Sequence, residues 1–419
     1  MDVIVGGGIV GLSIAWRLAR AGRPVTVVDP APASGASHAA AGMLAPVSEV
    51  SYTEAPLLRL GMASLRLWPS FATELAEDAG LTATGPPVGA AQGGERTAAA
   101  AADVPVAGSS GGLEIGDRAR RGLDLRADGT LDVAFGADDL AALDELAAFM
   151  DKLELPVERL TGRECRRLEP MLAPSVRGGL LAPGDAWVDP RRVTAALLAA
   201  LDRLRAPVVR ARAAGLLRDG DKVVGVRLEP PPHVPGSVPG SPRRGPEPPD
   251  EIRAERVVLA AGAWSGELAE VPVRPVKGQI MRLRSPQPLL SRCVRGTVHG
   301  SYVYLVPRGD GELVVGATQE EMGFDTRVTA GGLYELLRDA RELVPGVTEL
   351  EVADVVAGLR PGTPDNLPII GPSGTPGLTL ATGHHRGGVL LAPLTAALVS
   401  GEEGELAALC SPGRFREIS

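Results

Sequence analysis

The residues most able to do chemistry open the chain: Gly6-Gly7-Gly8-Ile9-Val10-Gly11 fits G-x-G-x-x-G, and Asp29 comes eighteen residues after Gly11. Glycines at that spacing allow a tight turn and close backbone approach. A helix opening behind them aims free N–H groups at a pyrophosphate, and an acid ending the next strand can accept from a ribose hydroxyl. The motif alone does not choose between a nicotinamide and a flavin. The next segment does: from Ser34 through Ala36 and Ser37 to Ala41-Gly42-Met43 runs a string of small and hydroxyl residues, suited to backbone lying along an extended diphosphate and ribityl chain. A third element, Gly383-His384-His385-Arg386-Gly387-Gly388, precedes an apolar segment beginning Val389-Leu390. A helix N-terminus there would present N–H groups and a positive dipole end to the electron-rich edge of a reduced flavin. One cofactor site built from both chain ends is a flavoprotein pattern, which implies non-covalent FAD. Candidate cofactor contacts are Gly6, Gly8, Ile9, Val10, Gly11, Asp29, Pro30, Ala36, Ser37, Ala41, Gly42 and Met43 from the first two elements. His384, His385, Arg386, Gly387, Gly388, Val389 and Leu390 come from the third, with Ala213, Ala261 and Gly262 between them.

The elements that must position these residues are legible as a βαβ unit: Val3 to Val5, a helix from Ile9 to Ala21, and Val25 to Val28. Helices are expected from Leu57 to Ala79, from Leu140 to Leu153 behind an Asp138 cap, from Pro190 to about Leu204 behind an Asp189 cap, and near Leu333 to Leu343. Strands are expected at Val223 to Leu228, Ile252 to Leu259, Val273 to Leu283, Tyr302 to Val306, Glu312 to Ala317, Val352 to Leu359 and Leu378 to Ala381, with a closing helix from about Val389 to Val399. Thr84 to Asp128, rich in Ala and Gly without a period, reads as a long surface insertion or disordered loop, and Pro230 to Asp250 as a proline-punctuated excursion.

Length and composition exclude other classes. A chain of 419 residues with 44% hydrophobic and 22% charged residues needs two or three packed units and is neither disordered nor a disulfide scaffold. A net charge of -8 without a basic stripe argues against nucleic acid as a partner. Cys165, Cys293 and Cys410 form no CxxC pair and read as free thiols of a reducing cytoplasm. No apolar run reaches the roughly eighteen residues of a membrane span, and Met1-Asp2 leads into the first strand without the charged region of a signal peptide. The five histidines, His38, His233, His299, His384 and His385, sit in no nucleophile elbow, and the adjacent pair reads as structural rather than metal-binding. Of the three lysines, Lys152, Lys222 and Lys277, the last falls in an expected strand and reads first as packing or an ion pair.

The sequence resembles the D-amino acid oxidase family of FAD-dependent amine oxidases, specifically its glycine oxidase branch from thiamine biosynthesis. The motifs that carry this are Gly6-x-Gly8-x-x-Gly11, Ala40-Ala41-Gly42-Met43-Leu44-Ala45-Pro46, Pro275-Val276-Lys277-Gly278-Gln279, Tyr304-Leu305-Val306-Pro307-Arg308, Val315-Gly316-Ala317-Thr318, Ala357-Gly358-Leu359-Arg360-Pro361-Gly362-Thr363 and Gly383-His384-His385-Arg386. The resemblance implies an α/β chain with α+β elements: a Rossmann-like FAD-binding domain and a substrate domain on an antiparallel sheet. It places the first at 1–83, 189–272 and 359–419 and the second at 129–188 and 273–358, with 84–128 a flexible insertion and 230–250 a Pro-rich loop. It makes Arg360 the grip on the substrate carboxylate, Tyr304 the tyrosine beside it and Arg386 a second arginine near cofactor and substrate. Met43 and Tyr302 line the pocket. Gly387 stands where asparagine is usual and Tyr302 where a histidine can stand, so one polar contact near the cofactor and histidine tuning of the pocket are expected to be missing.

The activity so implied is an oxidase. The amine of glycine, or of sarcosine or a small D-amino acid, gives hydride from Cα to flavin N5. The imine yields glyoxylate or a 2-oxo acid with ammonia, and oxygen leaves as hydrogen peroxide. The branch supplies glycine imine for thiamine thiazole synthesis. Two alternatives stay open, a dehydrogenase with a non-oxygen acceptor and a non-catalytic flavin-binding subunit, and a homo-oligomer is compatible with either.

Overall fold

Val3 to Val5 and Val25 to Val28 are β-branched runs buried on both faces, as a parallel central sheet demands. The structure, a computed structural model, describes residues 1–82, 113–230, 249–298, 300–401 and 404–415. In it, Asp2–Val5 pairs in parallel with Val25–Val28 on one side and Arg256–Leu259 on the other. The six-stranded sheet runs Ile369–Pro372, Leu378–Thr382, Arg256–Leu259, Asp2–Val5, Val25–Val28, Val208–Val209, antiparallel only at its first pair. The helices Ile9–Arg20, Ala55–Asp78, Pro190–Arg203 and Ala392–Ser400 cover one face and share a core around Leu12, Trp16, Trp68 and Leu197.

The second sheet has eight strands, in the order Glu351–Gly362, Arg274–Arg284, Glu312–Gly316, Ser301–Pro307, Cys293–Val298, Thr130–Ala134, Gly178–Ala182, Glu158–Thr161. It is antiparallel, as expected, at every pair except Cys293–Val298 with Thr130–Ala134, which run parallel. Strand alternation gives its two faces different work. Met281, Leu283, Leu305 and Val315 pack against the helix Ala330–Leu343 in one core. The opposite face, fixed by the pairs Gly278 with Gly358, Ile280 with Gly316, Gly316 with Tyr304, Tyr304 with Arg295 and Arg295 with Asp132, looks toward the first sheet.

Small residues let the two halves meet. A Cβ on Gly358 would stand 2.8 Å from the Ala39 Cβ, so the short helix Ala36–Ala39 lies directly on the second sheet. Buried Arg308 donates to the carbonyls of Val188 (3.0 Å) and Ala41, and Arg282, paired with Glu312, reaches the Ala40 carbonyl.

Several sequence expectations change. The helix placed behind Asp138 spans Ala137–Lys152, with Gly136 at its N-cap. Asp139 closes it by accepting from Phe135 N and Gly136 N, and Asp138 lies in the first turn. Of the stretch read as a loop from Thr84 to Asp128, residues 113–128 are structured: the helix Asp117–Gly122 leads to Leu123 and Leu125, both in the main core, and Arg126 bridges to Trp187. An Ala/Gly-rich context hid that short apolar pair. Residues 84–112 of this stretch and 231–248 of the Pro-rich one lie outside the described residues. The closing helix starts at Ala392, so the glycine-histidine segment before it is a single 3-10 turn, His385–Gly387, rather than a helix N-terminus.

Candidate active site

The glycine loop is shaped by contacts that forbid side chains. A Cβ on Gly11 would lie 2.0 Å from the Gly6 carbonyl oxygen, and one on Gly6, at φ +116°, would lie 2.2 Å from that of Ala260. Asp29 Oδ2 accepts from Gly7 N (2.6 Å) and Oδ1 from Ala31 N (2.7 Å), so the carboxylate expected to receive a ribose already staples the loop to the turn after the second strand. Burial pushes its pKa up despite these bonds. Ser37 Oγ accepts from Ile9 N at 2.9 Å and caps the first helix from outside it.

From this loop a cavity of about 810 Å³ runs to the inner face of the second sheet. It brings together Gly6, Gly8, Ile9, Val10, Asp29, Pro30, Ala36, Ser37, Ala41, Gly42, Met43, Ala213, Ala261 and Gly262 at one end, and Tyr302, Tyr304, Arg360, His384, His385, Arg386, Gly388 and Val389 toward the other. Three expected contacts lie elsewhere. Gly11 is packed under Gly6, while Gly387 and Leu390 face a small adjoining cavity, the Leu390 carbonyl taking hydrogen bonds from Ser64 and Trp68.

The residues present fit a bound FAD. His385 Nδ1 is buried with no partner in the protein, although it lines the cavity, and burial beside Arg386 lowers its pKa to about 4, so it stays neutral. Gly262, at φ +55°, meets nothing where a Cβ would project. His384 Nε2 is hydrogen-bonded to Thr395 Oγ1 at 2.9 Å, an anchor for the turn.

At the sheet end, the Arg360 guanidinium lies over Gly278, where any Cβ would come within 2.3 Å of it. Its Nη1 donates to the carbonyls of Thr318 (3.2 Å) and Lys277 (3.4 Å), and it stands beside the Tyr304 hydroxyl, which burial pushes up to about 12 and keeps protonated. Among the described residues no carboxylate pairs with Arg360. Arg386 differs: it is bound by Glu54, which also accepts from Asn366 Nδ2 at 2.7 Å. Met43 lies against Cys293, 3.7 Å between sulfurs. Lys277 points to the other face, buried, 3.3 Å from Glu320.

The wall also holds residues that sequence reading missed. The Tyr302 hydroxyl donates to Asp132, and the Arg295 guanidinium stacks 4.4 Å from the Tyr302 ring, 3.4 Å from Asp132 and 3.0 Å from Ser48 Oγ. Arg295 faces inward because it sits opposite Tyr304 in the sheet, a register no single strand reveals. The turn carrying Ser48 and Glu49 is fixed by fully buried Asp185, which accepts from Val47 N (3.2 Å) and Ser48 N (3.0 Å).

Burial raises the Asp185 pKa to about 6. The unfolded value is about 3.9, so the folded protein holds this proton more tightly between those values, and stability contributed by the protonated form is lost as pH rises through about 6. We expect the stability difference between the native protein and Asp185→Asn, by denaturant titration, to fall as pH goes from about 4 to about 6 and to level above it. A difference flat across that range would mean Asp185 is already ionised in the fold.

A glycine loop, a cavity continuing from it and an arginine-bearing sheet face define a flavin-dependent oxidoreductase. The chain belongs to the FAD-dependent oxidoreductase family DAO, which matches residues 3–103 and 111–401. It is 33% identical over 399 residues to the bifunctional protein ThiO/ThiG of Nostoc sp., covering 95% of this chain and 52% of that protein, so it spans about half the length of this relative. It is also 33% identical over 405 residues to the glycine oxidase of Geobacillus kaustophilus, covering 95% of this chain and 91% of that one. The crystal structure of glycine oxidase from Geobacillus kaustophilus superposes with a TM-score of 0.78 at 30% identity, over 99% of this chain and 98% of the other. The α/β fold expected from the sequence, and FAD as its cofactor, follow from this membership.

Proposed function

We propose that this protein is an FAD-dependent amino-acid oxidase acting on glycine, with sarcosine and small D-amino acids as further substrates. The observation that carries the reading is Arg360, a guanidinium facing the cavity with no carboxylate partner among the described residues. Bound FAD supplies the acceptor for hydride from the substrate Cα and passes the electrons to oxygen. Arg360 holds the substrate carboxylate through two parallel bonds, and the protonated Tyr304 hydroxyl donates beside it. Met43, Ile280 and Ala317 line the wall with apolar atoms and keep water from the reacting carbon. Arg386, already paired with Glu54, fixes the turn bearing His385.

The names of the fused and single-function relatives support a product used in thiamine synthesis, glycine imine for the thiazole. Three free buried cysteines and the lack, among described residues, of any helix long and apolar enough to cross a membrane fit the cytoplasm we propose. We also propose that the two sheets correspond to FAD-binding and substrate domains.

Purified holoprotein should bleach anaerobically with glycine and release peroxide in air, across a panel of glycine, sarcosine and D-amino acids. Bleaching with slow reoxidation in air would mean a dehydrogenase, and no bleaching with any amino acid would remove the enzymatic reading.

A further inference from the structure

The charged side chains lining the cavity can be paired off. Asp29 is taken by two backbone amides, Arg212 by Glu267 at 2.7 Å, Arg295 by Asp132 at 3.4 Å and Arg386 by Glu54. Besides Asp29 at the glycine-loop end, two lining charges have no ion pair among the described residues, the cation Arg360 and the anion Glu49.

Glu49 is half-buried at the end of the turn after the strand Met43–Leu44, and its N–H donates to the Ala45 carbonyl at 3.1 Å. The neighbouring amides of Val47 and Ser48 are held by Asp185, so the carboxylate is presented from an anchored backbone. Its electrostatic neighbours are Arg295, Tyr304 and Cys293. Arg295 is shared with Asp132, so two carboxylates face one guanidinium and negative charge is left over on this side of the cavity. Tyr304, which lines the same cavity, feels both unpaired charges: Arg360 and Glu49 each act on its hydroxyl. A half-buried carboxylate without a partner is costly, and a cationic ligand relieves that cost.

We propose that Glu49 receives the ammonium of an incoming substrate whose carboxylate is held by Arg360, so that the cavity selects small zwitterionic α-amino acids over simple carboxylates and simple amines. This rests on the oxidase reading of the same site and adds to it the charge form in which substrate docks. The ammonium gives its proton to solvent before hydride leaves Cα, so the role of Glu49 lies in binding.

The test uses two ligands of matched shape that cannot be oxidised, because neither has a Cα–H. They are 2-aminoisobutyrate, a zwitterion, and pivalate, with a methyl in place of the ammonium. Their Kd values for the FAD-loaded protein are read from perturbation of the flavin absorption. The unaltered protein should bind 2-aminoisobutyrate about ten- to a hundredfold more tightly, the span given by a hydrogen bond between charged groups. Glu49→Gln should bring the ratio toward one while pivalate binding holds or tightens, and Glu49→Asp should restore part of it. A native ratio near one, including no binding of either ligand, overturns the proposal, as does a ratio that Glu49→Gln leaves unchanged. The native ratio needs no variant to fold and no turnover. If glycine fails to bleach the flavin, the oxidase reading falls while this ratio still decides the zwitterion site.

Discussion

Arg360→Lys should lower kcat/KM for glycine by about a hundredfold or more while flavin content and melting temperature stay close to native. The guanidinium lies over Gly278 beside Tyr304 and, among the described residues, has no carboxylate partner, so the fold asks little of it beyond bonds at 3.2 and 3.4 Å to Thr318 and Lys277. A lysine ammonium can still reach a carbonyl and keeps the positive charge. It cannot form two parallel bonds to a carboxylate, and a substrate held at one point swings its Cα away from the reacting position. Misplacement by about an ångström is enough for a hundredfold loss. Methylamine, which has no carboxylate to lose, should be nearly indifferent to the change. Steady-state peroxide release with both amines, beside thermal melts of native and variant holoprotein, makes the comparison. Equal losses for glycine and methylamine, or a collapse in melting temperature, would mean a structural arginine and a substrate held elsewhere.

Why Arg360 can be found in the sequence and Glu49 cannot is a matter of range. The glycine loop, Asp29 and the first two strands form one local unit, so spacing alone carries their geometry, and the short β-branched runs mark a sheet buried on both sides. Arg360 and Tyr304 lie in motifs that the family resemblance marks, although their meeting depends on strands paired through Gly316 and Ile280. Arg295, Asp132 and Glu49 belong to no motif. Arg295 faces the cavity because of its register against Tyr304, and Asp132 reaches it through the one parallel pair in that sheet. The turn bearing Glu49 is held by Asp185, 137 residues on from Ser48. Single-sequence periodicity carries no information about such pairings. The closing segment misleads for a related reason: glycine, two histidines and arginine before an apolar run look like a helix start, but Gly383, at φ +72°, and His385, at φ 45°, turn the chain first.

Asp29→Ala is expected to have the other large effect, and the structure changes its cause. From sequence the carboxylate is a ribose acceptor, and its removal should weaken FAD retention. In the fold its two oxygens already take the amides of Gly7 and Ala31, at 2.6 and 2.7 Å, and so hold the glycine loop against the end of the second strand. Each is a hydrogen bond to a charged group, worth on the order of 1.5 to 3 kcal/mol. Part of that is offset because burial disfavours the charged form, as the raised pKa records. Alanine leaves both amides without an acceptor and frees the loop whose shape the pyrophosphate needs. FAD should therefore be lost on dialysis, and the apoprotein should also melt at a lower temperature. Asp29→Asn sharpens the point. A single carbonyl oxygen can serve only one of the two amides and the NH2 group faces the other, so the variant should retain part of the stability and less of the cofactor. Apoprotein melting unchanged in Asp29→Ala with FAD lost would return the residue to a ribose acceptor alone, and FAD fully retained would remove it from the cofactor site.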